Sequence, residues 1–90
     1  MRVKFFAEIR RLSGCLEEDW ERPAADLREL LLALGARHGR PFLDRVLPEG
    51  RISSTIIILV DGQSVVHLGG LDAPLTPDST IAIFPMVAGG

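Results

Sequence analysis

The stretch from Asp26 to Gly39 constrains this chain most, because it is the one segment patterned as a long amphipathic helix among segments patterned as strands. Asp26 is a good N-cap, and Glu29 three residues on completes a capping-box spacing. Leu27, Leu30, Leu31 and Leu34 mark one face of about three turns. Gly35 sits inside the helix and weakens it by roughly 1 kcal/mol relative to Ala. Gly39 is placed as the stop, with Arg37 and His38 near the negative end of the helix dipole. A single leucine-faced helix needs a partner layer, and here only a sheet can supply one.

The strand signals flank it on both sides. Val3, Phe5, Ala7 and Ile9 alternate with Lys4, Phe6, Glu8 and Arg10, which predicts a half-buried strand with Phe6 on its outward face. Ser13-Gly14 is a turn signal, and Leu16, Glu18 and Trp20 alternate with Glu17, Asp19 and Glu21 in a second strand that pairs back as a hairpin. Its acidic load suits a sheet edge. Phe42, Leu43, Val46 and Leu47 predict a short irregular or single-turn segment over one end of the core, and Pro48 to Arg51 a surface loop.

Thr55 to Val60 is continuous and β-branched, the best candidate for a central strand. Asp61-Gly62 is a hairpin signal, and Gln63 to His67 returns as a short strand broken by Gly69-Gly70. Leu71 to Leu75 reads as a turn whose leucines plug the core, and Thr80 to Phe84 as the last strand. The order β-β-α-β-β-β, with one main helix across one face of a mixed sheet of about five strands, predicts an α+β roll of the β-grasp kind. Residues 1–85 form the domain in this reading, and residues 86–90 a flexible C-terminal Gly-Gly tail.

Alternation also assigns the face turned away from the helix. If Val3, Phe5, Ile56, Ile58, Val65, Ile81 and Ile83 face the helix, then Phe6, Ile57, Leu59, Val66, Ala82 and Phe84 lie on the open side. With their strands as neighbours they merge into an apolar patch, the usual mark of a partner surface. The alternative is that the Phe42 to Arg51 segment shields Ile57 and Leu59.

Composition excludes more than it suggests. The chain has 90 residues, 47% hydrophobic and 24% charged, with a net charge of −2 and scattered arginines, so no basic face for nucleic acid is indicated. No apolar run approaches the roughly 20 residues that span a bilayer. Arg2 to Glu8 lacks the apolar core of a signal peptide, which predicts a cytoplasmic protein without membrane attachment. Cys15 alone makes no internal disulfide, and with His38 and His67 it has no metal-ligand spacing.

Catalytic patterns are lacking as well. Gly69-Gly70 fits neither phosphate-loop spacing, and Asp61, Asp72 and Asp78 fall at turns as Asx caps. Glu17, Glu18 and Asp19 disfavour a Cys15 thiolate, so that cysteine reads as structural. His38 reads as a helix C-terminal residue and His67 as a strand-end or surface one. What is left is the ending Phe84-Pro85-Met86-Val87-Ala88-Gly89-Gly90. Two glycines make a thin backbone able to enter a narrow channel, and the Gly90 carboxylate is the reactive group. Taken alone, they fit a frayed end equally well.

Several stretches resemble the MoaD/ThiS sulfur-carrier family of ubiquitin-like β-grasp proteins. They are Val3 to Arg10 with Leu12 and Gly14, Asp26 to Leu31, Val60-Asp61-Gly62, His67-Leu68, Gly70-Leu71-Asp72 with Pro74-Leu75, and Ile83 to Gly90. The likeness covers nearly the whole chain and, within the family, is to the small subunit of molybdopterin synthase. Met86 stands where that family often has a second proline.

The resemblance implies that an ATP-using, ubiquitin-activating-like adenylyltransferase adenylates Gly90, next to Gly89, and that a sulfur-donor system turns it into a thiocarboxylate. The sulfur then passes to molybdopterin, with the chain as the non-catalytic, sulfur-donating subunit that binds no cofactor itself. Phe6, Val66, Phe84, Pro85, Met86, Val87 and Ala88 would bind the adenylyltransferase and the synthase large subunit in turn. Three other roles stay open: a modifier joined through Gly90 to target lysines, a carrier for tungsten cofactor, thiamine, amino-acid or tRNA sulfur chemistry, and a plain interaction domain.

Overall fold

In the computed structural model, which describes residues 1–86, the chain runs β1 (Arg2–Phe5), α1 (Glu8–Ser13), β2 (Glu17–Asp19), α2 (Leu27–His38), α3 (Arg40–Val46), β3 (Ile56–Val60), β4 (Gln63–Ser64) and β5 (Thr80–Pro85). Short 3₁₀ turns occupy Pro48–Gly50, Val65–His67 and Gly70–Asp72. The five strands form one sheet in the order β2-β1-β5-β3-β4. β1 and β5 are parallel, and the other pairs are antiparallel. This is the ubiquitin-like β-grasp roll that the patterning predicts.

The long helix starts as its caps dictate. Asp26 Oδ1 accepts the Glu29 N–H at 2.9 Å, while Glu29 Oε2 accepts the Ala25 N–H at 2.7 Å, one residue earlier than the reciprocal bond of a standard capping box. Leu27, Leu30, Leu31 and Leu34 are fully buried against the sheet, where Val3, Phe5, Ile56, Ile58, Ile81 and Ile83 meet them. Gly35 has a packing reason to be in the helix. A Cβ there would lie 2.7 Å from Leu43 Cδ1 and 3.2 Å from its Cβ, so glycine lets α3 close onto α2. The helical propensity lost at Gly35 is offset by that approach.

Four expectations change. The first strand ends at Phe5, because Ala7 takes φ 53° and the chain turns into α1. Ile9 and Leu12 then point inward at a helical spacing that an alternation ending at Ile9 could not exclude. Phe42, Leu43 and Val46 lie in a true helix, α3, with Leu47 as its C-cap, and Phe42 and Val46 reach the core beside Phe5. The returning strand stops at Ser64, whose hydroxyl accepts the Val66 N–H at 3.3 Å. The following 3₁₀ turn buries Val65 and half-buries Leu68, an i,i+3 pair. Finally, the middle of the sheet is β5, with β3 beside it. β-branched density reports burial, whereas strand position is set by the crossover that returns β5 parallel to β1.

Replacing Gly35 with Val should lower unfolding free energy by about 2 kcal/mol, from overpacking against Leu43 together with poorer helix geometry. Urea unfolding followed by circular dichroism measures it. An unchanged midpoint would show that α3 yields freely.

Candidate functional site: the open sheet face and the start of the C-terminal segment

The two faces of the sheet are unequal. Alternation along β1, β3 and β5 buries one face completely and leaves Lys4, Ile57, Leu59, Ala82 and Phe84 on the other, Lys4 exposed and the rest half-buried. Register makes these residues neighbours: Lys4 lies opposite Ala82, Leu59 opposite Ala82, and Ile57 opposite Phe84. The Phe42 to Arg51 segment lies on the helix side, where Phe42 stacks edge-on against Phe5 at 5.9 Å, so it does not shield this patch.

Phe6 ends the first ladder and remains 39% exposed. Its N–H donates to the Ile83 carbonyl at 3.1 Å, and its ring meets Phe84 edge-on at 5.9 Å. The edge-to-face pair fixes an aromatic step where β5 leaves the sheet. Val66 is 77% exposed but sits on the 3₁₀ turn beyond β4, outside the paired strands that carry the patch. Pro85 is still paired, opposite Ile56, and Met86 is exposed with its N–H donating to the Thr55 carbonyl at 2.8 Å. Val87, Ala88, Gly89 and Gly90 lie outside the described residues.

Sequence reasoning missed one support of this region. Arg45 on α3 donates from Nε to Glu8 Oε1 at 2.7 Å and from Nη1 to Thr55 Oγ1 at 2.9 Å. Thr55 is the residue whose carbonyl holds Met86. Arg45 thus ties α1, α3 and the start of β3 together at the point where the C-terminal segment emerges. Glu8 and Arg45 are 37 positions apart, so only the fold brings them together.

The other polar groups serve the body. His38 Nε2 is 2.6 Å from Glu18 Oε1, and its ring packs between Phe5 and Phe42. It closes the helix end onto the acidic edge strand rather than facing a site. Cys15 is a half-buried free thiol against Ser13. Among the described residues no cluster of three or more His, Cys, Asp or Glu could hold a metal ion, and no helix is long and apolar enough to cross a membrane. A groove of about 770 Å³, lined by Met1, Trp20, Pro23 and Pro77 among others, lies where β1 and β5 begin. Its lining reaches only the first residue of β5, Thr80, at the opposite end of that strand from Phe84 and Met86, so it takes no part in the patch.

A β-grasp body with an apolar sheet face beside its C-terminal segment defines the class of ubiquitin-like carriers and modifiers. The model of the ThiS family matches residues 3–90, and the chain belongs to that ubiquitin-like sulfur-carrier family. It is 29% identical to small archaeal modifier protein 3 of Haloferax volcanii over 91 aligned positions, covering 100% of this chain and 98% of that one. It superposes with a TM-score of 0.84 on a structure of the Amycolatopsis orientalis BexX/CysO complex, at 26% identity over 99% of this chain and 98% of the other. A Pyrococcus furiosus protein assigned as a molybdopterin converting factor, subunit 1, superposes with a TM-score of 0.76 at 33% identity, covering 96% and 95%.

Replacing Arg45 with Ala should leave the fold intact and speed hydrogen exchange at the Met86 amide about fivefold, as expected for roughly 1 kcal/mol of lost local order. Amide exchange by NMR reads this directly, and unchanged Met86 protection would remove Arg45 from the support of the segment.

Proposed function

We propose that this chain carries sulfur as a thiocarboxylate on Gly90 and delivers it to molybdopterin, as the small subunit of a molybdopterin synthase. The observation that carries the reading is the family match running through Gly90, joined to the 33% identity with the Pyrococcus furiosus protein. The open face built on Phe6 and Phe84 supports it, because a carrier without catalytic groups of its own must be held by enzymes that have them.

The chemistry follows from the carboxylate. Its oxygen is a poor leaving group, so ATP is used to form an acyl-adenylate at Gly90 with release of pyrophosphate. Sulfide then attacks the acyl carbon and AMP departs. With a persulfide donor, a second thiol must reduce the acyl disulfide to free the thiocarboxylate. In this reading the chain binds no cofactor, and ATP belongs to the activating enzyme, an adenylyltransferase of the ubiquitin-activating kind. Gly89 and Gly90 carry no side chain to obstruct a narrow channel. Residues 86–90 are the tail, and Pro85, Met86, Val87 and Ala88 bind the partner enzymes along it. Phe6, Phe84 and Val66 contact first the adenylyltransferase and then the synthase large subunit.

A second reading rests on the relation to small archaeal modifier protein 3, which matches end to end. There the acyl-adenylate is captured by a lysine amine of a target protein instead of by sulfur. The two readings share activation and part at the nucleophile.

Deleting Gly90 should abolish thiocarboxylate formation while the chain keeps its fold, measured by intact mass after incubation with activating enzyme, ATP and sulfide. Transfer near the wild-type level in the deletion would sink the mechanism. Replacing Phe84 with Asp should weaken binding to the activating enzyme about thirtyfold, the loss of one central aromatic contact. Calorimetric titration tests this, and an unchanged Kd would place docking elsewhere.

A further inference from the structure

The chain holds ten lysine and arginine residues, and nine of them are arginine; Lys4 is the only lysine in the sequence. A guanidinium stays protonated and does not accept an acyl group, whereas a lysine amine forms a stable amide. The one side-chain amine therefore has a defined address. Lys4 is exposed on the open face, opposite Ala82 in β5 and two residues from Phe6. The nearby acids of β2 are taken by another residue, since Glu17 and Asp19 both pair with Arg2, at 3.4 and 3.0 Å. Among the described residues Lys4 has no ion-pair partner. The competing amine, the Met1 N-terminus, is part-buried and donates to the Trp20 carbonyl at 3.0 Å.

We propose that Lys4 is the single site at which one copy of this chain can be acylated by the activated Gly90 of another. This inference rests on the activation of Gly90 proposed above. In the step, the Lys4 amine attacks the Gly90 acyl carbon of the donor copy, a C–N bond forms, AMP leaves and the amine loses a proton. The product is an isopeptide-linked dimer. Its geometry has a consequence, because Lys4, Phe6 and Phe84 share one face and the attached copy stands over the acceptor's docking patch. Self-conjugation through Lys4 thus withdraws the acceptor copy from further activation.

The test separates the acceptor role from docking. Unlabelled wild-type chain is mixed with an isotopically heavy acceptor chain lacking Gly90, which cannot be activated, in the presence of activating enzyme and ATP. A parallel reaction of the wild-type chain contains sulfide. The expected product is a light–heavy dimer, with the light fragment from residue 52 to Gly90 joined to the heavy Lys4 after trypsin. It is lost when the heavy acceptor carries Lys4→Arg. Persistence of the dimer with that acceptor, or linkage at the Met1 amine, overturns the proposal. So does absence of any dimer while the sulfide arm yields thiocarboxylate. If neither arm modifies Gly90, the carrier reading itself falls and this inference falls with it.

Discussion

The parallel pairing of β1 with β5 is the constraint on which the rest of the structure depends. It places β5 in the middle of the sheet, hydrogen-bonded on both sides, with Lys4 opposite Ala82 and Phe5 opposite Ile83. A parallel pair cannot be closed by a tight turn, so everything between the two strands serves as the crossover or packs against it. α2 is the part of that crossover which buries the sheet. Because β5 remains paired to β3 as far as Pro85, the chain reaches Met86 from a fixed direction. Proline is tolerated there because it ends the strand, where its missing N–H leaves no gap in an interior ladder.

From that pairing comes the division of the sheet into a saturated face and an unsaturated one. On the face toward α2, Val3, Phe5, Ile56, Ile58, Val60, Ile81 and Ile83 are buried to 6% exposure or less. The opposite face carries Ile57, Leu59, Ala82 and Phe84 without a covering layer among the described residues. The same strands supply both faces, so the helix-side core positions the patch residues, and movement of one side is felt on the other. The groove beside Trp20 lies at the wrong end of β5 to share in this.

Much of this was legible in the sequence. The helix was readable because its caps, its leucine spacing and its glycine stop all agree, and long periodic segments leave little ambiguity. The two sheet faces were readable because side chains alternate along any strand, although Ile56 to Val60 and Ile81 to Phe84 are apolar on both faces. Short segments were harder. Ile9 satisfies both a strand and a helix period, and the residue that decides is Ala7, whose positive φ nothing in its side chain foretells. Val65 and Leu68 are likewise spaced for a 3₁₀ turn as well as for a strand end. The Glu8–Arg45–Thr55 tie was out of reach, since three polar residues far apart in sequence carry no mutual signal until the fold is closed.

Why Phe6 and Phe84 stay partly wet can be argued from what the proposed cycle requires. One patch serving an activating enzyme and then an acceptor enzyme must release the first before it meets the second. With association near 10⁶ M⁻¹s⁻¹, release within about a second sets Kd at roughly 10⁻⁶ M, and much tighter binding would stall the exchange. Full burial of a phenylalanine brings about 1.5–3 kcal/mol. Phe6 is 39% exposed, so docking recovers only a fraction of that from its ring. In that proposed cycle the edge-on contact with Phe84 would act in two ways. It holds the aromatic step in place before any partner arrives, and it keeps in reserve only as much apolar surface as a reversible complex can use. A fully exposed pair would bind more tightly and turn over more slowly, whereas a fully buried one would leave nothing to grip beside the emerging segment.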